Sequence, residues 1–352
     1  MRVLFMTSGD RTPSTRFRIL PYISYLREHG ISCRVASSFP QKYDYFPWLG
    51  FRPSQRLKRL TRWLHLLESK VRSFDVIYLE RELFNDDTTD LEERFRRVAP
   101  RLIYDLDDAL FLERPEKIEK LTRMSDLVVV GNPQIQEALG DWHNQFRVIP
   151  TAPSVFKFKP ATRKTSRQSP VVGWIGTSGN LAYFAVVAAA LRALSQTHSF
   201  ELRLIVPDTE LLQNVDLSGV NVTHTPWDST REAEQVADFD IGIMPLFSDR
   251  NWDRYKCPTK ITQYMACGLP SVASPIGFTA DVINHGVEGF HAATTDAWIT
   301  ALKSLLDSPS QREEMGRAAR ATAETEYSVE ANADRMLTAI RDVHTEKRFT
   351  AR

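Results

Sequence analysis

Short apolar runs alternate with helical stretches from one end of the chain to the other. In the first half, residues 3–6, 33–36, 76–79, 102–104, 127–130 and 148–149 read as buried strands. In the second half, residues 171–175, 202–206, 220–223, 241–244 and 271–273 repeat the theme. Apolar runs of this length separated by helices predict parallel sheets covered on both faces. Two such series within 352 residues exceed what one hydrophobic core usually holds, so two domains are predicted, over 1–156 and 171–330. The polar stretch 157–170, poor in apolar residues, is the expected linker. A helical tail runs from Ser308 to about His344, and residues 331–352 are set apart as a terminal helix. No internal repeat of a solenoid kind is visible.

One segment breaks the alternation. Leu57, Leu60, Leu64, Leu67 and Val71 recur at three- and four-residue steps and draw one apolar stripe along a helix over 51–72. Arg56, Lys58, Arg59, Arg62, Lys70 and Arg72 occupy its other faces, with Glu68 the only acid and Trp63 beside the stripe. Two readings stand. The helix packs its stripe on the sheet, or it lies in the plane of an anionic membrane surface with its basic side chains toward the headgroups.

Hydrophobic residues make up 42% of the chain and charged residues 25%, values ordinary for a soluble globular protein. The net charge of +1 gives no global reason for binding nucleic acid, and none is expected as a partner. Cys33, Cys257 and Cys267 are widely spaced and follow no metal-ligand pattern, which suits a reducing compartment. The first apolar run is too short for a signal peptide, and no stretch reaches the roughly 18 apolar residues needed to span a bilayer. A cytoplasmic location is therefore expected, peripheral at the inner face of the cell membrane if residues 51–72 bind lipid.

The chemistry concentrates after the strand at 241–244. There the sequence reads Lys256-Cys-Pro-Thr-Lys-Ile-Thr-Gln-Tyr-Met-Ala-Cys-Gly-Leu-Pro-Ser-Val-Ala-Ser274. Pro258 is expected to open a helix, since its missing N–H would have no partner in a first turn, and Gly268 to stop it. Free N–H groups in that turn can hold a phosphate, with Lys256 and above all Lys260 neutralising it. Neither half carries G-x-G-x-x-G after its first strand, which argues against a dinucleotide-linked dehydrogenase. Gly176-Thr177-Ser178 is either a plain strand–helix turn or a close approach to phosphate. In the first half, Arg16 and Arg18 follow the first strand, and Asp105, Asp107 and Asp108 end another. The arginines either bind an acceptor or solvate a helix. Three carboxylates together exceed what helix capping needs. None of the eight histidines reads as a catalytic base.

The pattern K-x3-K-x2-Q-Y-M-A-C-G-L-P-x-V-A-S resembles the donor-site helix of family-four retaining glycosyltransferases of the GT-B fold (glycosyl transferases group 1), written there E-A-M-A-x-G-x-P-V-V-A-S. Residues 148–156, V-I-P-T-A-P-S-V-F, are similar to the family's hinge sequence, V-I-P-N-G-V-D-x-x-x-F. The resemblance covers most of the chain and is sharp between Asp240 and Gly289. It implies two Rossmann-like α/β domains facing a cleft, with the terminal helix crossing back to the first domain. It also implies sugar transfer from a nucleotide-sugar donor to a glycan, lipid-linked or other hydroxyl acceptor, in a setting of polysaccharide biosynthesis. On this reading Gly176, Thr177, Trp227, Pro258, Thr259 and Gln263 bind the donor. Lys260, Lys256 and Asp107 serve catalysis, and Arg16, Arg18, Asp105 and Asp108 bind the acceptor. No cofactor or metal is expected.

The chain departs from the family at two places. The E-x7-E signature is replaced by Tyr255 and Gln263, and the basic pair usual after the first strand of the second domain is missing between Gly176 and Tyr183. A nucleotide-sugar 2-epimerase is the alternative within the same fold, and the missing E-x7-E suggests a second alternative, a sugar- or nucleotide-binding subunit without activity. Asp105-Leu-Asp107 also matches the D-x-D motif that holds a metal in the single-domain GT-A fold, an architecture that would leave the second series of strands without a role.

Overall fold

A computed structural model describes residues 1–161 and 169–345, which divide into two units. The first comprises residues 1–151 together with the chain from Asn332, and the second runs from Ala152 to Ala331. The division thus falls just before the expected linker, of which residues 162–168 lie outside the described residues, as do residues 346–352 of the expected terminal helix.

In the first unit six strands form one parallel sheet. They are β1 (Arg2–Thr7), β2 (Ser32–Ser37), β3 (Val76–Glu80), β4 (Arg101–Leu106), β5 (Leu127–Val130) and β6 (Phe146–Val148). Their spatial order is β2-β1-β3-β4-β5-β6, so the chain steps from β1 to one side and then returns to the other. Val3 accordingly pairs with both Cys33 and Val76. All five residues of β3 are buried, as expected of a strand covered on both faces. The helix Val329–Thr345 joins this unit from Asn332 onward. There Tyr25 donates to Asp334, Arg341 donates to the His29 carbonyl at 2.9 Å, and Arg147 pairs with Asp342 at 3.2 Å.

The second unit repeats the plan with β7 (Val171–Ile175), β8 (Glu201–Val206), β9 (Val222–Pro226), β10 (Ile241–Met244), β11 (Ser271–Ala273) and β12 (Gly289–His291). The order is β12-β11-β10-β7-β8-β9, again parallel throughout. Residues 152–156 belong here. The Val155 amide donates to Glu330 at 3.0 Å, and Arg320 donates to the carbonyls of Val155 and Phe158 at 3.1 and 2.8 Å. Eleven strands overlap the apolar runs, although β9 begins two residues later than expected and β6 shares only Val148 with its run. The twelfth, β12, has a run too short to announce itself.

The helix Phe51–Arg72 corrects one expectation outright. Its buried residues are Ser54, Lys58, Arg62, Leu66 and Ser69, while Leu60, Leu64, Leu67 and Val71 are exposed. The polar face, not the leucine stripe, packs inward. Arg62 donates to the carbonyls of Thr7 at 2.6 Å and Ala36 at 2.7 Å, and Lys58 to the carbonyl of Lys42 at 2.7 Å. Carbonyls at the ends of β1 and β2 need donors once buried, and long basic side chains can reach them. Lys58 and Arg62 are thus unavailable to any membrane headgroup.

Candidate functional site

In an open parallel sheet, ligands bind beyond the carboxyl ends of the strands, where the strand order reverses. For the second unit that point lies between β7 and β10. The two strands pair only at Ile241–Val172 and Gly242–Gly173, then part. Tyr264 bridges the parting: its hydroxyl accepts from the Ile175 amide and donates to the Ile243 carbonyl, each at 3.3 Å. Tyr264 belongs to the helix Thr259–Ala266, which is thereby pinned to the switch point. One turn earlier on the same helix stands Lys260, its Nζ 5.3 Å from the centre of the buried Trp174 ring in β7.

The helix starts a residue later than expected, with Pro258 as its N-cap rather than inside its first turn. Proline has no side-chain acceptor, so the cap residue itself takes up no first-turn donor, while the Thr259 amide donates to the Cys257 carbonyl at 2.8 Å. Gly268 closes the helix at φ +68°, with the Leu269 amide donating to the Tyr264 carbonyl at 3.0 Å.

The segment between β10 and this helix supplies the second lysine. Lys256 pairs with Asp253 at 3.5 Å and lies 4.5 Å from the centre of the Tyr183 ring. Asp253 is fully buried and also accepts from the Tyr183 hydroxyl and, at 3.1 Å, from the Phe247 amide. Arg250 stacks over Phe247 at 4.0 Å. Gly277 makes room for this loop: at its φ of +53°, an added Cβ would fall 1.8 Å from the Arg254 carbonyl oxygen. Burial, then the neighbouring Lys256, push the Lys260 ammonium down to about 7, against the pull of Asp253. Two repelling ammonium groups facing one shared carboxylate form a site that gains by taking up an anion.

The other expected donor residues are less uniform. Gly176 and Thr177 follow β7 directly, and a Cβ on Gly176 would fall 2.4 Å from the Trp174 ring, so the glycine also serves packing. Trp227 follows β9, and its amide donates to the Val206 carbonyl at 3.0 Å. Thr259 is half-buried at the helix start. Gln263 is buried and donates to Glu232 at 3.0 Å, which gives it a packing partner within the fold.

At the corresponding point of the first unit, between β1 and β3, the arrangement is closed. Glu80 is buried and accepts from the Ser8 amide at 3.2 Å, from Thr15 at 2.6 Å and from Ser14. Next to it Arg18 forks onto Asp105, with Nη2 to Oδ1 at 2.5 Å and Nε at 2.9 Å, while its Nη1 donates to Ile149 and Thr151, both at 2.9 Å. Tyr78 also donates to Asp105 at 3.0 Å. Burial opposes charge on both partners. Asp105 is pushed up to about 6, and Arg18 is held charged chiefly by Asp105 and then Asp107. Arg18 and Asp105 thus clasp the unit together, both buried, where the sequence suggested that they bind an acceptor. Asp107 stays below the usual carboxylate range despite burial, because Arg81 lies at 2.5 Å. Arg81 also reaches Asp108 at 3.4 Å, and Arg16 is half-buried with its guanidinium 5.2 Å from the Phe17 ring.

The sequence reading missed Asp253, Tyr183 and Arg81. Asp253 could have been found as the acid three residues before Lys256. Arg81 could not, because its signal is a backbone φ of +54° just past β3. Among the described residues no group of three or more His, Cys, Asp or Glu is placed to hold a metal ion.

Residues 169–308 match the family model described as Glycosyl transferases group 1. A D-inositol 3-phosphate glycosyltransferase of Pseudarthrobacter chlorophenolicus is 32% identical over 139 residues, 38% of this chain and 30% of that protein. Its counterpart in Paenarthrobacter aurescens is 30% identical over 141 residues, 38% of this chain and 31% of the relative. The chain therefore spans under a third of the length of the curated relatives it matches. Solved structures align over nearly the whole chain. Sucrose-phosphate synthase from Thermosynechococcus elongatus superposes with a TM-score of 0.71 at 15% identity, covering 97% of this chain and 99% of that one. Anabaena HepE in complex with UDP-glucose gives 0.65 at 16% identity, covering 97% and 99%. The protein has the GT-B fold, and its second unit carries a glycosyl transferases group 1 domain.

Proposed function

We propose that the protein transfers a sugar from a nucleoside diphosphate sugar to a hydroxyl acceptor, with the donor diphosphate held by Lys256, Lys260 and the start of helix Thr259–Ala266. The observation that carries this reading is Lys260, placed at the β7/β10 switch point by the Tyr264 bridge. As the bond between sugar and diphosphate breaks, negative charge grows on the leaving group. Preorganised positive groups at that position stabilise it more in the transition state than in the ground state. Lys256 is aimed by Asp253, itself fixed by Tyr183 and the Phe247 amide.

In this account the sugar keeps its configuration, because the departing diphosphate takes the acceptor proton on the same face. The acceptor is a glycan or lipid-linked hydroxyl, and Asp107 and Asp108 of the first unit are the residues we assign to it. Asp107, held ionised by Arg81, suits hydrogen bonding to an acceptor hydroxyl better than holding a proton. Fixed positive charge takes the place of a divalent metal. The test is to incubate purified protein with UDP-, GDP- and ADP-sugars and follow nucleotide release. Slow release of free nucleotide, lost in Lys260→Ala, supports transfer. Interconversion of donor sugars, or binding without turnover, contradicts it.

A further inference from the structure

The outward face of helix Phe51–Arg72 has no place in sugar transfer, yet it is built with care. Leu60, Trp63, Leu64, Leu67 and Val71 are 55%, 39%, 56%, 54% and 84% exposed. At 100° per residue they fall within one sector of the helix, along a length of about 16 Å. Trp48 and Phe51, 80% and 63% exposed, lie just before and at the amino end of the helix, with Phe51 on the opposite side from the row. Exposed apolar rows of this extent usually mark a surface that is covered in use.

The surroundings of the row state what covers it. Arg52, Arg56 and Lys70 are exposed along one edge, Arg72 lies at the carboxyl end, and Arg94 sits 4.9 Å from the Trp63 ring. Glu68, the helix's only acid, is already paired with Arg34 at 2.9 Å and Arg72 at 3.3 Å. The inner face is committed to the fold through Lys58 and Arg62, so the helix is anchored and cannot turn its polar side out. An apolar row that includes a tryptophan and is edged by cations has the composition that lies in a bilayer interface. A protein partner would need acids facing the rim, whereas an anionic lipid surface supplies charge everywhere along it. Among the described residues no single helix is long and apolar enough to cross a membrane.

We infer that helix Phe51–Arg72 seats its leucine row in the interface of an anionic lipid bilayer, with Arg52, Arg56 and Lys70 on the headgroups. The inference is independent of the sugar-transfer reading. It reverses the simpler picture in which basic faces alone point to the membrane, because the deeper contact is apolar. Co-sedimentation of the full chain with phosphatidylglycerol-containing and pure phosphatidylcholine vesicles tests it, alongside Leu60→Ser/Leu64→Ser/Leu67→Ser and Arg52→Glu/Arg56→Glu/Lys70→Glu variants. The expected result is binding to the anionic vesicles that weakens more than about tenfold in each triple variant, with thermal melting unchanged since the replaced side chains are exposed. Binding by the charge-reversal variant should also lose its salt dependence. Failure of the wild-type protein to sediment with anionic vesicles at low salt would overturn the inference. So would serine variants that bind as well as wild type, or a wild-type dimer that the serine substitutions dissolve.

Discussion

The two units share one sheet logic and use it for opposite ends. Each has six parallel strands whose order reverses beside its first strand, at β1/β3 and at β7/β10. At β1/β3 the charged groups are matched from within: Glu80 accepts from the Ser8 amide and from Ser14 and Thr15, and Arg18 is spent on Asp105. At β7/β10 Lys256 disfavours charge on Lys260, and the carboxylate of Asp253 pairs with Lys256. The lesson is that a switch point offers a place for a ligand, and the charge balance of its side chains decides whether the place is filled from within.

The sharpest way to break the comparison is to open the closed site. Asp105→Ala strands a buried guanidinium, and is expected to cost about 3–5 kcal/mol of stability by chemical denaturation. A loss below about 1 kcal/mol would mean that the clasp is not structural. Lys260→Ala probes the other site and should do the reverse. Losing one preorganised charge at a leaving group is expected to lower turnover by about 10²–10³.

The stability of that variant sharpens the contrast further. The folded state holds Lys260 near 7 against an ordinary 10.5, so between those values the unfolded chain binds the extra proton. Wild-type stability should therefore rise as pH increases from about 7 to 10.5, and level off below 7, where both states are protonated. Lys260→Met should melt at a higher temperature than wild type at neutral pH and lose this slope. A residue that costs stability and supports turnover is present for function. The smallest expected effect is that of EDTA, which should leave turnover unchanged. Asp105, half of the D-x-D match, has its oxygens engaged by Arg18 and Tyr78. Loss of activity in EDTA with recovery on adding Mn²⁺ would move the donor to the first unit.

Much of this was legible in sequence because buried parallel strands announce themselves: β5, β7, β10 and β11 coincide with their apolar runs. The helix that carries Lys260 was legible too, since proline and glycine mark its ends. What stayed hidden depended on which partner a side chain finds across the fold. Arg18 and Asp105 read as ligands because sequence does not show that they meet. Lys58 and Arg62 read as a solvated face because periodicity gives the stripes of a helix, not which one packs inward. Gln263 fits the donor pattern in sequence and meets Glu232 in the fold.

The central claim is that a donor diphosphate binds at Lys256 and Lys260, and titration calorimetry with a nucleoside diphosphate tests it most directly. At about pH 8.5, in buffers of differing ionisation enthalpy, wild-type protein should take up close to one proton per nucleotide, because an adjacent anion restores charge to a lysine held near 7. Lys260→Met should bind more weakly and take up none. Equal affinity in the two proteins, with the same proton uptake, would contradict the account.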